Sequence, residues 1–118
     1  MWLVTTTDTF DEWLSQQDTS SRLRILASMT VLATQGYALG RPIVDTVDGS
    51  KFSNMKELRT KYAGHQYRSL FAFDPARQAI VLCAADKTGK DQKQFYKDPI
   101  QLADELYQQH LDKLKGDE

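Results

Sequence analysis

The sequence predicts an α+β fold, in which an antiparallel sheet carries an N-terminal helical hairpin and a C-terminal helix. Two helix-start signals are followed by apolar residues at helical spacing before Gly36. Three β-rich segments separated by turn signals occupy the middle of the chain. An amphipathic segment beginning at Asp98 closes it. The predicted order is therefore β-α-α-β-β-β-α, and residues 1–118 fit one domain.

The first predicted elements are one strand and two helices. Residues 2–6 are apolar at their start and rich in β-branched side chains, which favours an opening strand in the same sheet. Thr9 and Glu12 form a capping-box pattern for a short helix. Asp18 starts a second helix, Gly36 ends it, and the short link between the helices predicts an antiparallel hairpin. The predicted stripe of the second helix is Leu23, Leu26, Met29, Thr30 and Ala33.

The middle of the chain is predicted to be a loop followed by an antiparallel meander. Glycines and a proline interrupt residues 36–50, which we expect to form a loop. The predicted strands are residues 52–60, 67–73 and 79–85. Gly64 marks the first turn, over residues 61–66, and Asp74 with Pro75 marks the second as a type I turn.

The last helix is predicted from its cap. Asp98 is the expected N-cap, Pro99 takes the first helical position, and Gln101 completes a capping box. The apolar stripe of this helix is Ile100, Ala103, Leu106, Tyr107, His110, Leu111 and Leu114. Residues 86–97 are polar, and we expect a loop there with at most one helical turn.

Positive charge is concentrated in the middle of the chain. The formal net charge is −1, but residues 51–98 carry ten basic and five acidic side chains. We expect helices to cover one sheet face, and the other face to stay polar and concave where the basic residues gather. Such a face favours phosphate binding, and the near-neutral total argues against a general nucleic-acid binder.

The single cysteine excludes an intrachain disulfide. Cys83 lies in an apolar run, which indicates a buried and inert thiol. The chain has no apolar stretch of the ~20 residues that a membrane helix needs, and its N-terminus lacks the features of a secretory signal. We therefore expect a cytoplasmic protein without membrane association. Two distant histidines and one cysteine do not form a zinc site, so no metal is expected.

Strand parity distributes the side chains between two sheet faces. Glu57 shares a face with Arg59, whereas Lys56 takes the opposite face. In the third strand of the meander, Val81, Cys83 and Ala85 are expected to project opposite to Ile80, Leu82 and Ala84.

Several basic residues are candidates for phosphate binding. Arg59 and Arg68 can clamp a phosphate through their planar guanidinium groups. The alternative for Arg59 is an ion pair with Glu57 or with an acid from a helix. Lys56 is a weaker candidate, because its parity places it in solvent or at the rim. Lys87 follows the end of a strand, where functional side chains are frequent.

The remaining candidates lie in loops. Tyr96 precedes the predicted last helix. Its hydroxyl either faces the sheet as a functional group, or Tyr96 is a packing residue whose hydroxyl is hydrogen-bonded. His65, in the first turn, can contact phosphate or transfer protons, although solvent exposure is the stronger interpretation. Lys90 and Lys93 bind anions or form a solvated loop. These residues alone establish a small α+β domain with an anion-binding sheet face.

Ordered segments of the chain resemble the RelE/HigB branch of type II toxins, and most closely its phage-derived HigB-like group. These segments are residues 54–59, 67–75, 79–82, 86–89 and 95–97, with weaker similarity in 39–42 and 103–107. The similarity covers most of the chain in the right order. It implies the RelE-like fold, and a toxin that is silenced by a cognate antitoxin, which we expect to be of the helix-turn-helix type.

The resemblance also implies a chemistry, in which the toxin cleaves messenger RNA on the ribosome without a metal or cofactor. A ribose 2′-OH attacks the adjacent phosphate. By resemblance, Arg68 stabilises the charge that develops on phosphate, and Lys87 binds phosphate or protonates the leaving group. Tyr96 orients or deprotonates the 2′-OH, or stacks on a base. The RNA-binding candidates are Lys56, Arg59, His65, Lys90 and Lys93.

Two features keep other functions open. RelE-type toxins are usually basic overall, whereas this chain is slightly acidic, which weakens the electrostatic case for ribosome docking. An isolated tyrosine has a pKa of about 10, so Tyr96 needs nearby cations to act as a base. Because one fold serves several functions, the alternatives are a ParE-like gyrase inhibitor and a non-catalytic, degenerate toxin that only binds its partner.

Overall fold

The computed structural model describes residues 1–116. This part of the chain forms one five-stranded sheet in the order β1-β5-β4-β3-β2, with three α-helices. The strands are β1 (Leu3–Thr6), β2 (Val44–Thr46), β3 (Met55–Tyr62), β4 (His65–Phe73) and β5 (Gln78–Asp86). The helices are α1 (Asp8–Ser15), α2 (Thr19–Gln35) and α3 (Gln92–Gly116). This architecture is compatible with the RelE-like fold.

The sheet is mixed rather than antiparallel. β3, β4 and β5 form the predicted antiparallel meander, and the opening strand joins the same sheet as expected. However, β1 pairs with β5 in parallel, which the long connection through two helices and three strands permits. The predicted loop over residues 36–50 was wrong in part, because β2 lies within it and pairs with β3 at the sheet edge. At three residues β2 is too short to give a periodic signal.

Both faces of the sheet carry a hydrophobic core. Side chains of α1 and α2, including Phe10, Ile25 and Leu32, pack on what we call the α1–α2 face. Ala103 and Tyr107 of α3 pack on the opposite, α3 face. The expectation of one polar and concave sheet face was therefore wrong in part, because α3 covers much of that face. The charged side chains that remain lie near the start of α3.

Of the two predicted N-caps, the one of α1 was wrong and the one of α2 is confirmed. α1 is capped by Thr7 rather than Thr9, because the Thr7 hydroxyl both accepts from Phe10 N and donates to the Leu82 carbonyl of β5. The Asp18 cap is confirmed by its bond from Ser21 N, at 2.7 Å. Gly36 ends α2 at a φ of +53°, and a Cβ there would lie 1.9 Å from Trp2 Nε1.

The predicted stripe of α2 was wrong in part, because Met29 packs against the core and other members of the stripe do not. Ser21, Ile25 and Leu32 face the core, whereas Leu23 and Leu26 are 63% and 42% exposed. Apolar residues occur around most of this helix, so two neighbouring stripes both have helical spacing. Packing against the sheet selects the second stripe. Both helices make their backbone contacts mainly with the sheet, α1 with β5 and α2 with β3.

The turns of the meander lie where they were predicted. Ala63 and Gly64 form a two-residue hairpin with φ of 50° and 82°, so β3 ends later and β4 begins earlier than expected. β3 also begins later, at Met55 instead of residue 52. In the second turn, Arg77 N donates to the Asp74 carbonyl at 3.0 Å, which confirms the type I pattern.

α3 begins earlier than predicted. It starts at Gln92, after Asp91, whose carboxylate accepts from Gln94 N at 2.8 Å. Pro99 therefore lies inside the helix, where it removes one backbone hydrogen bond, and Asp98 is not the cap. The buried Phe95 anchors the extra turns ahead of the proline. The predicted apolar stripe of this helix is confirmed, with Ala103 and Tyr107 at its centre.

A β-bulge changes the parity of β5. Leu70 pairs with Cys83 and Phe71 pairs with Val81, which leaves Leu82 as the extra residue. Leu82 and Cys83 both join the core under α3, so the predicted alternation of Val81 with Cys83 was wrong. Every residue after the bulge therefore projects to the face opposite to the predicted one, and this places Lys87 on the side of α3.

Candidate active site

A cleft of about 650 Å³ lies between the start of α3, the β2 edge and the end of β5. Five basic and three acidic side chains line it, so it attracts anions. The basic residues are Arg41, Arg59, Lys87, Lys93 and Lys97, and the acidic ones are Asp45, Asp48 and Glu57. The early start of α3 creates one wall, because it places Lys93, Tyr96 and Lys97 on helical turns facing the sheet.

Glu57 lies at the floor of this cleft and is only 3% exposed. The Tyr96 hydroxyl donates to its Oε2 at 2.5 Å, and Arg59 Nη2 lies 2.9 Å from its Oε1. Arg68 Nε lies 3.9 Å from the same Oε1. A buried carboxylate requires such partners, because an unpaired buried charge is strongly unfavourable. Glu57 therefore connects the predicted site residues to one another.

The Tyr96 hydroxyl is a proton donor in this arrangement. Burial, followed by the hydrogen bond to Glu57 and its negative charge, raises the pKa of Tyr96 to about 12. Arg68 lowers the pKa of Tyr96, but by less than these effects raise it. Among the roles open to Tyr96, the structure therefore favours orientation over deprotonation of a hydroxyl at neutral pH.

Arg68 lies behind Glu57 rather than in the cleft. It is 5% exposed, and its Nη1 donates to the Tyr67 carbonyl at 3.2 Å. Its Nε is buried without a hydrogen-bond partner in the described structure. The guanidinium does not line the cleft, and its role as a clamp on phosphate stays a prediction. The Glu57 carboxylate, 3.9 Å away, lies between Arg68 and the cleft.

Arg59 lines the cleft and forms the ion pair that the sequence offered as its alternative role. Besides Glu57, its Nη2 contacts Asp45 Oδ2 at 3.2 Å. Asp45 also pairs with Arg41 at 3.1 Å, and this hydrogen bond is the main reason why the pKa of Asp45 lies below its usual value. Arg59 is thus a cation held between two carboxylates, within reach of a ligand in the cleft.

Lys87 and Lys93 complete the set of predicted residues that the cleft brings together. Lys87 Nζ lies 5.8 Å from the centroid of the Tyr96 ring, in a cation–π arrangement. Lys93 comes from the first turn of α3, near Lys87 and Tyr96 in the lining of the cleft. Residues distant in sequence thereby surround one volume with Glu57 at its base.

The chain matches the family described as Phage derived protein Gp49-like (DUF891) over residues 12–108. It belongs to the Gp49-like family. Relatives in Mycobacterium tuberculosis (strain ATCC 25618 / H37Rv) are "Putative toxin HigB2", 48% identical over 100 residues, and "Putative toxin HigB3", 43% identical over 95 residues. These alignments cover 84% and 80% of this chain, and 49% and 81% of the relatives. The chain thus spans about half the length of HigB2.

The comparisons confirm the predicted resemblance to the phage-derived, HigB-like group. The Gp49-like match begins in α1 and ends in α3, so it contains every residue that lines the cleft. β1 lies outside the matched range. The cleft is therefore built entirely from the part of the chain that defines the family match.

Three predicted RNA-binding residues of this Gp49-like chain do not line the cleft. Lys56 projects to the other face of β3. His65 stacks on Tyr67 on the α1–α2 face and contacts Asp86 Oδ2 at 2.5 Å. Lys90 lies in the exposed loop before α3, with its Nζ 6.0 Å from the Phe95 ring centroid. Their role in RNA binding stays a prediction.

Sequence reasoning missed several residues of the cleft, among them Arg41, Lys97 and, as a functional group, Glu57. A signal for Glu57 was available, since it shares strand parity with Arg59, and a carboxylate between strand arginines is unusual for a core. Arg41 lies in the segment predicted as loop, and Lys97 was assigned to the polar segment before the last helix. Lys97 was given no individual role because α3 was expected to start at Asp98, and Arg41 was given none because β2 was not predicted.

Two further expectations concern cysteine and metal. Cys83 is buried as predicted, and burial raises the pKa of its thiol to about 12, which disfavours the reactive thiolate. Within residues 1–116, no three His, Cys, Asp or Glu side chains are grouped to hold a metal ion.

No helix in the described range combines the length and apolarity needed to cross a membrane.

Proposed function

We propose that this Gp49-like chain is the toxin of a toxin–antitoxin pair, and that it cleaves messenger RNA at the cleft without a metal. The observation that carries this proposal is the Glu57–Tyr96 pair at the base of a cationic cleft. Two relatives named as toxins support the toxin role. Their similarity also supports an antitoxin as the partner, which we propose to be of the helix-turn-helix type.

The cleft suits one ribose–phosphate unit. Its volume of about 650 Å³ lies in the range of small-ligand sites. Lys87, Lys93 and Lys97 approach from one side, and Arg59 from the other. These cations neutralise phosphate, whereas the carboxylate of Glu57 repels it and is better suited to a hydroxyl. A 2′-OH near Glu57 with its phosphate near the lysines satisfies both groups.

We propose that Glu57 is the general base. It accepts the proton of the 2′-OH as the 2′-oxygen forms a bond to phosphorus. The P–O5′ bond breaks, and Lys87 donates a proton to the leaving 5′-oxygen. The products are a 2′,3′-cyclic phosphate and a 5′-hydroxyl end, so atoms and charge balance without a metal or cofactor.

The remaining residues position these two groups. Tyr96 keeps its proton and holds the Glu57 carboxylate in one orientation. Arg59 stabilises the charge that develops on the phosphate oxygens, for which its ion pair with Glu57 must loosen. Arg68 offsets the charge of Glu57 from behind, so it acts as a positioning residue.

Transcripts on the ribosome are the proposed substrate in the cytoplasm. The chain carries a net charge of −1, so its attraction to RNA depends on the local cleft rather than on the whole surface. Ribosome docking then requires shape and local contacts, because long-range steering by net charge is absent.

Induced expression with mapping of transcript 5′ ends tests the proposal. Wild type is expected to arrest growth and to create new 5′-hydroxyl ends, which are formed much more slowly in Tyr96→Phe. Lys61→Gln is the matched control, since Lys61 is an exposed cation of β3 outside the cleft. Growth arrest with intact transcripts and a DNA-damage response would favour the gyrase-inhibitor alternative. Harmless expression would favour a module that only binds its partner.

A further inference from the structure

A second groove continues the cleft along α3. It has a volume of about 540 Å³ and shares Gly49, Lys97 and Ile100 with the cleft as lining residues. The two volumes therefore meet at a common boundary. A chain molecule that enters the first can extend into the second without leaving the protein surface.

The walls of the second groove are held together by a buried carboxylate. Asp104 of α3 accepts from Ser50 Oγ at 2.5 Å and from Lys51 N at 2.9 Å. Ser50 Oγ in turn accepts from Phe52 N at 3.0 Å. These bonds fix the loop before β3 against the helix, so the groove is formed before any ligand arrives.

The chemistry of the second groove differs from that of the first. Two basic and two acidic residues line it, so it offers little net attraction to phosphate. Phe52 and Ile100 supply an apolar surface, and the Phe52 ring is held edge-on against Tyr107 at 4.8 Å. Side-chain amides are frequent along α3, at Gln101, Gln108 and Gln109. An apolar plane bordered by amides suits a nucleobase, which stacks with its face and hydrogen-bonds with its edge.

We propose that this second groove binds the base of the nucleotide adjacent to the one cleaved in the first cleft. This rests on the proposed function, because the scissile phosphate must lie above Glu57. Lys97, at the common boundary, contacts the phosphate that links the two nucleotides. The base stacks on Phe52, and the amides of Gln101 and Gln108 contact its edge. The second groove then makes cleavage selective for the neighbouring base.

Binding to modified oligonucleotides tests this proposal. The probe is a labelled hexaribonucleotide with a 2′-O-methyl group at the mapped cleavage position, which blocks cleavage. Companion probes lack the base on one side or the other of that position. For wild type, the probe that lacks the base bound in the second groove is expected to bind more weakly than the intact probe, by roughly five-fold or more. In Phe52→Leu this difference falls below about two-fold, whereas Tyr37→Leu, an exposed aromatic elsewhere, retains it.

Two further variants keep the outcomes distinct. Lys93 lines only the first cleft, so Lys93→Gln weakens all probes equally. If wild type cleaves RNA and Lys93→Gln weakens binding, but both abasic probes bind like the intact one, the base site is overturned and the nuclease stands. If wild type neither binds the probe nor cleaves RNA, both proposals fail.

A surface variant covers the case in which Phe52→Leu does not fold. Gln101 and Gln108 are exposed, so replacing both by alanine leaves the core intact. The double variant is expected to lose the preference among the four bases at the neighbouring position, at unchanged affinity for the abasic probe. An unchanged base preference overturns the proposal.

Discussion

The two faces of β3 and β4 bury polar groups in different ways. On the α1–α2 face, Thr60 donates to Ser28 Oγ at 2.8 Å, and the Tyr67 hydroxyl donates to Ser21 Oγ at 2.9 Å. These are neutral pairs between a strand and a helix. On the α3 face, the same two strands bury a carboxylate and a guanidinium.

The difference between the faces supports the proposal that the α3 face carries the function. Neutral hydrogen bonds satisfy buried groups at little cost, and they are sufficient to fix the helices on the sheet. Buried ion pairs are often no more stabilising than apolar residues of similar volume. A charged cluster beside an open cleft is therefore better explained by chemistry than by stability. Five variants, with their controls, test this contrast.

The largest effect on stability is expected for Arg68→Ala. Loss of the guanidinium leaves the buried Glu57 carboxylate with less compensation, and breaking a buried pair typically costs ~3 kcal/mol or more. We expect the free energy of unfolding in urea to fall by about 3 kcal/mol, and RNA cleavage to be lost. Arg41→Ala, which removes an exposed pair, leaves the stability unchanged. Wild-type stability for Arg68→Ala would show that Glu57 does not depend on it.

Two hydroxyl deletions, one on each sheet face, test whether cleavage and stability depend on different faces. Tyr96→Phe releases the Glu57 carboxylate, and we expect RNA cleavage to slow by ~10- to 100-fold with little change in melting temperature. Tyr67→Phe removes the bond to Ser21, and we expect a loss of about 1 kcal/mol in stability with normal cleavage. Single-turnover kinetics and thermal melts measure both. The reverse pattern would assign function to the α1–α2 face.

Lys87→Gln tests the charge of the cleft. Each phosphate contact contributes about 0.7 to the slope of log affinity against log salt for single-stranded nucleic acid. We expect Lys87→Gln to reduce this slope by about that amount, and the control Lys61→Gln to leave it unchanged. Titrations of an uncleavable RNA at several salt concentrations provide the slopes. Equal slopes for both variants would place the phosphate elsewhere.

The smallest effect concerns acid stability on the α1–α2 side. Burial raises the pKa of Asp86, but hydrogen bonds from Thr88, His65 and Gln66 outweigh it and lower the pKa to about 2. A carboxylate with a depressed pKa stabilises the fold above its unfolded pKa of about 3.9, and this contribution is lost as the pH falls towards 2. Between these two pH values, we expect the free energy of unfolding to fall less steeply for Asp86→Asn than for wild type. An unchanged acid profile would show that the carboxylate is not held in this network.

Local patterns predicted much of the fold. The turn at Asp74, the hairpin glycine Gly64 and the Asp18 cap depend on short-range backbone chemistry, and each occurs where it was expected. The stripe of α3 is also confirmed, because its apolar residues occupy one side of the helix only. α2 has apolar residues on several sides, so its buried side was decided by contact with the sheet.

The candidate site was predicted only in part, for a related reason. Arg59, Lys87, Lys93 and Tyr96 were identified by residue type, and they line the cleft. Glu57 was regarded only as a pairing partner of Arg59, since its importance depends on Tyr96, which lies 39 positions away. A contact between such distant positions leaves no periodic signal in a single sequence.

The sequence by itself determined the types of element, most of the turns, the concentration of positive charge in the middle of the chain and the family of the protein. Only the tertiary structure decided where the side chains of the site point. The bulge at Leu82 turns Lys87 towards α3, and the anchoring of Phe95 lets α3 begin ahead of Pro99, so that Tyr96 reaches Glu57. Both features arise from packing between elements, whereas propensity and periodicity describe each element alone.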